Sequence, residues 1–147
     1  MPIIKEIKQH KLVLDTHVWL WLMMGSPELS RSFRQGIEQS QKHHGVLVSI
    51  ISTWEIGMLA ERKRIQLDMD PLDWVLQALD FPGMRLVQMS PRIAIQSTRL
   101  PGTIHGDPAD RILVSTAHEE NAVLVTCDKK LLEYGEDKFI TVYDPSK

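Results

Sequence analysis

The sequence predicts an α/β fold in which a central, mainly parallel, five-stranded sheet lies between two layers of helices. Short strand-like runs recur along the chain, and several are continuously apolar rather than alternating, which is typical of strands covered on both faces. Helical segments separate them in the order βααβααβααβαβ, which favours a three-layer α/β/α sandwich. We expect a single domain over residues 11–147, preceded by an N-terminal extension, residues 1–10.

The predicted strands are Leu12–Leu14, Val46–Ser49 and residues 85–88, 122–126 and 139–143. The first predicted helix, Thr16–Met24, is apolar nearly all round, the second, residues 30–42, is polar, and the third, residues 53–63, is amphipathic. Three further helices begin with a proline that follows an Asp or Ser, a pair suited to the N-cap and the first helical position. They are Pro71–Leu79, residues 91–99 and Pro108–Glu120.

The composition is that of a globular domain, with 43% apolar and 24% charged residues among 147. No apolar stretch approaches the ~18 residues needed to span a bilayer, and the N-terminus lacks the apolar core of a secretory signal. The single cysteine, Cys127, excludes an internal disulfide and fits the cytoplasm. The net charge of −2 gives no general attraction for nucleic acid, so a local patch or a metal must attract phosphates.

Acidic side chains occur where the predicted sheet ends. Asp15 directly follows the first strand within an apolar run, and Asp128 follows the fourth. Glu55 shares a helix face with apolar residues, while Asp107 and Asp110 begin the helix that leads into the fourth strand. Because ligands of parallel sheets bind at the carboxyl ends of the strands, we expect these acids to converge.

Such a cluster is costly without a counterion. Two carboxylates ~4 Å apart repel by about 4 kcal/mol at an effective dielectric constant near 20. Hard divalent cations such as Mg²⁺ prefer oxygen ligands and remove this repulsion, and no histidine or cysteine pattern with zinc-ligand spacing competes. The acids therefore predict a divalent-cation site suited to phosphodiester chemistry.

Four segments in this order resemble the PIN-domain ribonucleases, and more narrowly the VapC-type toxins of bacterial toxin–antitoxin pairs. The resemblance covers residues 11–144, and no one of the motifs is specific without the others. The motifs are Leu-Val-Leu-Asp-Thr at 12–16, Trp-Glu-Ile at 54–56, Asp-Pro-Ala-Asp-Arg at 107–111 and Val-Leu-Val-Thr-Cys-Asp at 123–128.

The resemblance implies a PIN-like fold and a Mg²⁺- or Mn²⁺-dependent endoribonuclease that is usually dimeric and is silenced by a cognate antitoxin. Its metal-binding and catalytic acids would be Asp15, Glu55, Asp110 and Asp128. Thr16 and Thr126 match hydroxyl positions of the family. Asp107 is extra relative to the commonest pattern, which leaves open whether Asp107 or Asp110 faces the metal.

Each acid also has a structural interpretation. Asp15, Asp107 and Asp128 precede predicted helices and could cap them, and Asp110 suits a first helical turn. Glu55 could be a half-exposed helix residue paired with a basic group. We favour a functional role for Asp15, Glu55, Asp110 and Asp128, and a capping role for Asp107.

The basic and histidine side chains near these motifs are less informative. Arg111 could grip a phosphate, but a structural ion pair is favoured. The basic residues 62–64 suit a helix C-terminus, yet they could also form a phosphate-binding rim. His17 and His105 are isolated, and a metal can activate water without a general base.

The apolar helix Thr16–Met24 is either fully buried or partly a partner surface. Because a domain of this size has little room to hide it completely, we expect Trp19 or Trp21 to contact an antitoxin or a second copy.

Other functions remain open at the level of sequence. One is an inactive PIN-like module that binds RNA or protein. A second is an aspartate-dependent phosphatase, although that pattern requires an acid where His17 stands. A third is a DNA-repair nuclease of related fold.

Overall fold

A computed structural model describes residues 7, 10–43, 45–104, 106–137 and 139–147. Within these residues, five strands form one sheet in the order β3-β2-β1-β4-β5, and every neighbouring pair is parallel. The strands are β1 Leu12–Leu14, β2 Val46–Ser49, β3 Met84–Val87, β4 Val123–Val125 and β5 Thr141–Tyr143. The predicted sheet is therefore confirmed, and it is parallel throughout.

The helices in the described part of the chain alternate with the strands as predicted. They are α1 Thr16–Met24, α2 Arg31–His43, α3 Ile50–Glu61, α4 Pro71–Leu79, α5 Pro91–Ser97, α6 Pro108–Glu120 and α7 Lys129–Tyr134, followed by a 3₁₀ turn, Gly135–Asp137. The largest error in a helix boundary is at α3, which begins three residues earlier than predicted. Ser49 ends β2 and caps α3 through the Ile51 N–H, so strand and helix join without a loop.

The sheet is covered on both faces, because consecutive side chains of a strand point to opposite sides. Leu12 and Leu14 of β1 belong to a core shared with α1–α4, whereas Val13 belongs to a core shared with α5–α7. All residues of β1, β2 and β4 are buried. The three-layer arrangement is confirmed, and it accounts for strands that are apolar on both sides.

Trp19 corrects one expectation about the apolar helix. Its side chain is 0% exposed, and the ring of Trp74 on α4 packs edge-on against it at 5.2 Å between centroids. Because α4 covers this side of α1, Trp19 is a core residue and not a partner surface. Trp21 is half-buried against the same core, so its contact with a partner stays a prediction.

Most of residues 1–10 lie outside the described residues, and the proposed domain boundary stays a prediction. Ile7 is described and buried, and its carbonyl accepts a hydrogen bond from the Ser40 hydroxyl of α2 at 3.0 Å. Among the helices that the structure describes, none combines the length and apolar character needed to cross a bilayer.

Candidate functional site

Asp15 lies at the carboxyl end of the central strand and is held by donors from two directions. Its Oδ1 accepts the Thr16 N–H at 2.7 Å, which makes Asp15 the N-cap of α1. Its Oδ2 accepts the Thr126 hydroxyl at 2.7 Å, from the end of the neighbouring strand β4. Burial raises the pKa of Asp15, while the hydrogen bonds from Thr126 and Thr16 lower it. Asp15 therefore has both the capping role and the buried position that its apolar surroundings indicated.

A chain of hydroxyl groups connects α1 to Glu55 on α3. Thr16 Oγ1 lies 2.5 Å from Glu55 Oε1 and 2.8 Å from the Oγ of Ser52, which is fully buried. A hydroxyl has a single proton, so an ionised Glu55 requires Thr16 to donate to it and Ser52 to donate to Thr16. Burial raises the pKa of Glu55, the Thr16 hydrogen bond lowers it, and the charges of Asp15 and Asp107 raise it.

Replacement of Thr16 by valine tests this chain. Thr16→Val keeps the shape and the backbone N–H of Thr16, but leaves a partly buried carboxyl group without its donor. We expect a loss of about 1–3 kcal/mol in the free energy of unfolding, measured by urea titration. The matched control is Thr53→Val, since the Thr53 hydroxyl donates to the Ile50 carbonyl within α3 and not to an acid of the cluster among the described residues. Equal losses in the two variants would contradict a special role for the Thr16 hydroxyl.

The two acids of α6 have different environments. Asp107 is exposed, and its Oδ1 accepts the N–H groups of Ala109 at 2.9 Å and Asp110 at 3.4 Å as the N-cap. Asp110, one turn into the helix, is half-buried. Burial raises its pKa to about 8, together with the charges of four neighbouring carboxylates, those of Asp15, Asp107, Asp128 and Glu55. Asp110 is therefore the acid of this helix whose pKa is raised by the charges of all the other acids in the cluster.

Asp128 is linked to Asp15 by hydrogen bonds through the hydroxyl group of one residue, Thr126. The Asp128 N–H donates to the Thr126 hydroxyl oxygen at 3.0 Å, and that hydroxyl donates to Asp15. The side chain of Asp128 is exposed and caps α7, with Oδ1 accepting the N–H groups of Lys130 at 2.8 Å and Leu131 at 3.3 Å. Both of these cap contacts use Oδ1, so capping leaves the other carboxylate oxygen with capacity to bind a ligand.

The remaining candidates divide between structural and peripheral positions. Arg111 Nε donates to the Ser97 carbonyl at 2.9 Å, which ties α6 to the end of α5. His17 is exposed beside Thr16, and its charge lowers the pKa of both Asp15 and Glu55. His105 lies outside the described residues. Ser52 was missed by the sequence predictions, although its spacing of three residues before Glu55 places it on the same helix face.

The donor chemistry of the cluster fits a hard divalent cation. In the described part of the chain, no group of three or more His, Cys, Asp or Glu side chains is arranged to hold a metal ion. Mg²⁺ does not require such a group, because it usually keeps several waters and binds one or two carboxylates together with substrate phosphates. The carboxylates that raise the pKa of Asp110 also define a place where positive charge is stabilising.

Comparisons with known proteins agree with this architecture. The PIN domain family model matches residues 12–137. Ribonuclease VapC22 of Mycobacterium tuberculosis is 35% identical over 132 residues, covering 90% of this chain and 98% of the relative.

Two solved structures share the fold at low sequence identity. VapBC2 from Rickettsia felis, bound to a promoter DNA fragment, has a TM-score of 0.66 at 17% identity and covers 90% of this chain and 96% of that chain. A toxin–antitoxin complex from Klebsiella pneumoniae has a TM-score of 0.60 at 19% identity and covers 91% and 97%. The extent of the family match and the identity to a VapC relative show that this chain belongs to the PIN-domain family, in its VapC group.

Proposed function

We propose that the protein is a metal-dependent endoribonuclease, and that it acts as the toxin of a toxin–antitoxin pair. The observation that carries this proposal is the convergence of Asp15, Glu55, Asp110 and Asp128 on one edge of the sheet, where burial and the charges of the neighbouring acids raise the pKa of Asp110 to about 8. The relative with 35% identity is a ribonuclease by name, which supports RNA as the substrate.

The four acids would hold Mg²⁺ or Mn²⁺, and their neighbours would orient them. The bound cation supplies Lewis-acid stabilisation of the phosphodiester and a more acidic water. Thr126 and the Thr16 N–H fix both oxygens of Asp15, and the Thr16 hydroxyl fixes Glu55. With a pKa of about 8, the metal-free Asp110 carboxyl is largely protonated at neutral pH, so cation binding releases its proton. Metal affinity should therefore rise with pH up to that value.

A cognate antitoxin is the proposed protein partner, as in the toxin–antitoxin complexes that share this fold. A groove of about 510 Å³ between α1 and α4 offers it a methionine-rich surface that includes Met23, Met24 and Met69. Methionine surfaces adapt well to partner side chains. Trp21 lies on the same helix as Met23 and Met24, so we retain it as part of the partner surface. We also propose that the protein forms a homodimer and is located in the cytoplasm.

RNA cleavage by the purified full chain tests the proposed activity. We expect cleavage of cellular RNA with Mg²⁺ or Mn²⁺, no cleavage in excess EDTA, and recovery when the cation is restored. Protein carrying Asp15→Asn, purified in parallel, controls for contaminating ribonucleases. Undiminished cleavage in EDTA by the parent, but not by the Asp15→Asn protein, would contradict metal dependence. Absence of cleavage with any divalent cation would favour an inactive binding module.

A further inference from the structure

A groove of about 700 Å³ runs beside Glu55, between α3 and the N-terminus of α6. Its apolar wall includes Trp54 and Met58 of α3, and the Trp54 side chain is 56% exposed. An exposed tryptophan next to a cluster of acids is not explained by packing or by metal binding. Together with Met58 and the other apolar side chains of the groove, Trp54 forms a contiguous apolar surface of the kind that binds another molecule.

The two ends of this groove carry opposite charges. Glu55 and Asp107 line one end, whereas Arg62 and Arg64 line the other. Arg62 is the C-cap of α3 and follows Glu55 by seven residues, so it lies roughly 10 Å farther along the helix axis. Neither arginine takes part in an ion pair within the described residues. The groove thus joins the acidic centre to two arginines that are available to an anionic ligand.

We infer that this groove binds the nucleotide adjacent to the scissile phosphate of single-stranded RNA, with its base stacked on Trp54 and its phosphate near Arg62 and Arg64. An RNA strand offers both a flat apolar base and an anionic phosphate at every nucleotide, which matches the aromatic and basic groups that line the groove. Stacking on an aromatic side chain is open to every base and is lost in a duplex. The inference rests on the proposed ribonuclease function and names the subsite of its substrate.

The main alternative occupant is a protein surface, from either a second copy or another chain. An apolar protein segment would cover Trp54 and Met58. It would also have to bring anionic groups to the arginines, and the carboxylates of Glu55 and Asp107 in the same groove would repel those groups. A metal-loaded centre attracts phosphates, so an RNA strand avoids that conflict. The experiment below separates these occupants.

Binding is measured in the full chain carrying Asp15→Asn, so that the RNA probe is not cut. The probe is a short, unstructured, fluorescein-labelled oligoribonucleotide, followed by fluorescence anisotropy. We expect Trp54→Ala to weaken its affinity by roughly 5- to 100-fold, and Trp54→Phe to retain most of it. The control is Phe81→Ala, which removes another exposed aromatic side chain away from the groove and should leave the affinity unchanged.

The arginines give a second, independent measurement. Replacement of Arg62 and Arg64 by alanine removes two phosphate contacts, so the slope of log affinity against log salt should fall in magnitude by roughly 1.4. Light scattering reports the oligomeric state of each variant under the same conditions. Unchanged RNA affinity together with a change in oligomeric state would overturn the inference and assign the groove to an interface between copies.

The remaining outcomes distinguish this inference from the proposed function. RNA cleavage by the parent together with parent-like binding by the Trp54 and arginine variants overturns only the groove assignment. Absence of both cleavage by the parent and RNA binding by the Asp15→Asn protein overturns both.

Discussion

Asp15→Asn is expected to abolish RNA cleavage while leaving the fold intact. Asparagine is as good an N-cap as aspartate, so α1 can still begin at Thr16. What is lost is the negative charge at the carboxyl end of β1, on which the proposed cation depends, together with the acceptor for the Thr126 hydroxyl, because an amide nitrogen does not accept a hydrogen bond. We expect the rate to fall by more than the roughly 10- to 100-fold that follows loss of an outer-shell partner of a metal. The measurement is single-turnover cleavage at saturating Mn²⁺, with circular dichroism to verify the fold.

Asp70→Asn provides a matched control for that variant. Asp70 caps α4 through the Leu72 N–H at 3.0 Å, so it makes the same kind of contact and undergoes the same chemical change. It is exposed, and its charge is not among the main influences on the pKa of Asp15, Glu55 or Asp110. Cleavage at the parental rate is expected. An equal loss in both variants would show that helix capping, and not the charge at Asp15, limits the activity.

The sequence predicted the fold well where local chemistry determines an element. Asp70 with Pro71, and Asp107 with Pro108, both produce the N-cap and first-turn geometry that their spacing predicts. The strands β1 and β4 are buried on both faces, which is why their apolar runs indicated a parallel sheet. Such signals require only neighbouring residues, and they hold in the folded chain.

Errors arose where contacts distant in sequence decide the outcome. Trp19 was expected at a surface because the helix pattern alone does not reveal that Trp74 covers it. The sequence favoured a capping role for Asp107 and a functional role for Asp110, but it left open which of them faces the metal, since only the packed structure shows that burial and the other acids raise the pKa of Asp110. Ser52 was overlooked because its importance comes from Thr16, a residue 36 positions away.

The acid cluster places a destabilising feature at the centre of the fold. Burial raises the pKa of Asp15, Glu55 and Asp110, and each change reflects the cost of charging a carboxyl group in this setting. A cation that binds only the folded state offsets this cost, by about 2.7 kcal/mol at 100 times its dissociation constant. The metal-free protein should therefore be the form whose stability depends most strongly on pH.

Asp110→Asn is expected to stabilise the metal-free protein at alkaline pH and to reduce its pH dependence. The pKa of Asp110 rises from its ordinary value of 3.8 to about 8 in the folded chain, so between these values the folded state binds more protons than the unfolded state. Stability therefore falls as pH rises through that window, and the full cost is present above it. Asparagine removes the titrating group, so the gain should reach its full size above pH 8 and should vanish near pH 4.

Solvent screening limits the size of this gain, because Asp110 is only half-buried. We expect on the order of 1–2 kcal/mol, or roughly 2–8 °C in Tm, in EDTA near the alkaline end of the window. The control is Asp73→Asn, an exposed acid in the first turn of α4 whose removal should not give a pH-dependent gain. Addition of Mn²⁺ should raise the Tm of the parent more than that of Asp110→Asn, because the variant lacks one proposed ligand. A variant that is less stable than the parent at every pH would mean that favourable contacts hold Asp110 and outweigh the repulsion from its acidic neighbours. The cation would then have no unfavourable charge to neutralise at this position.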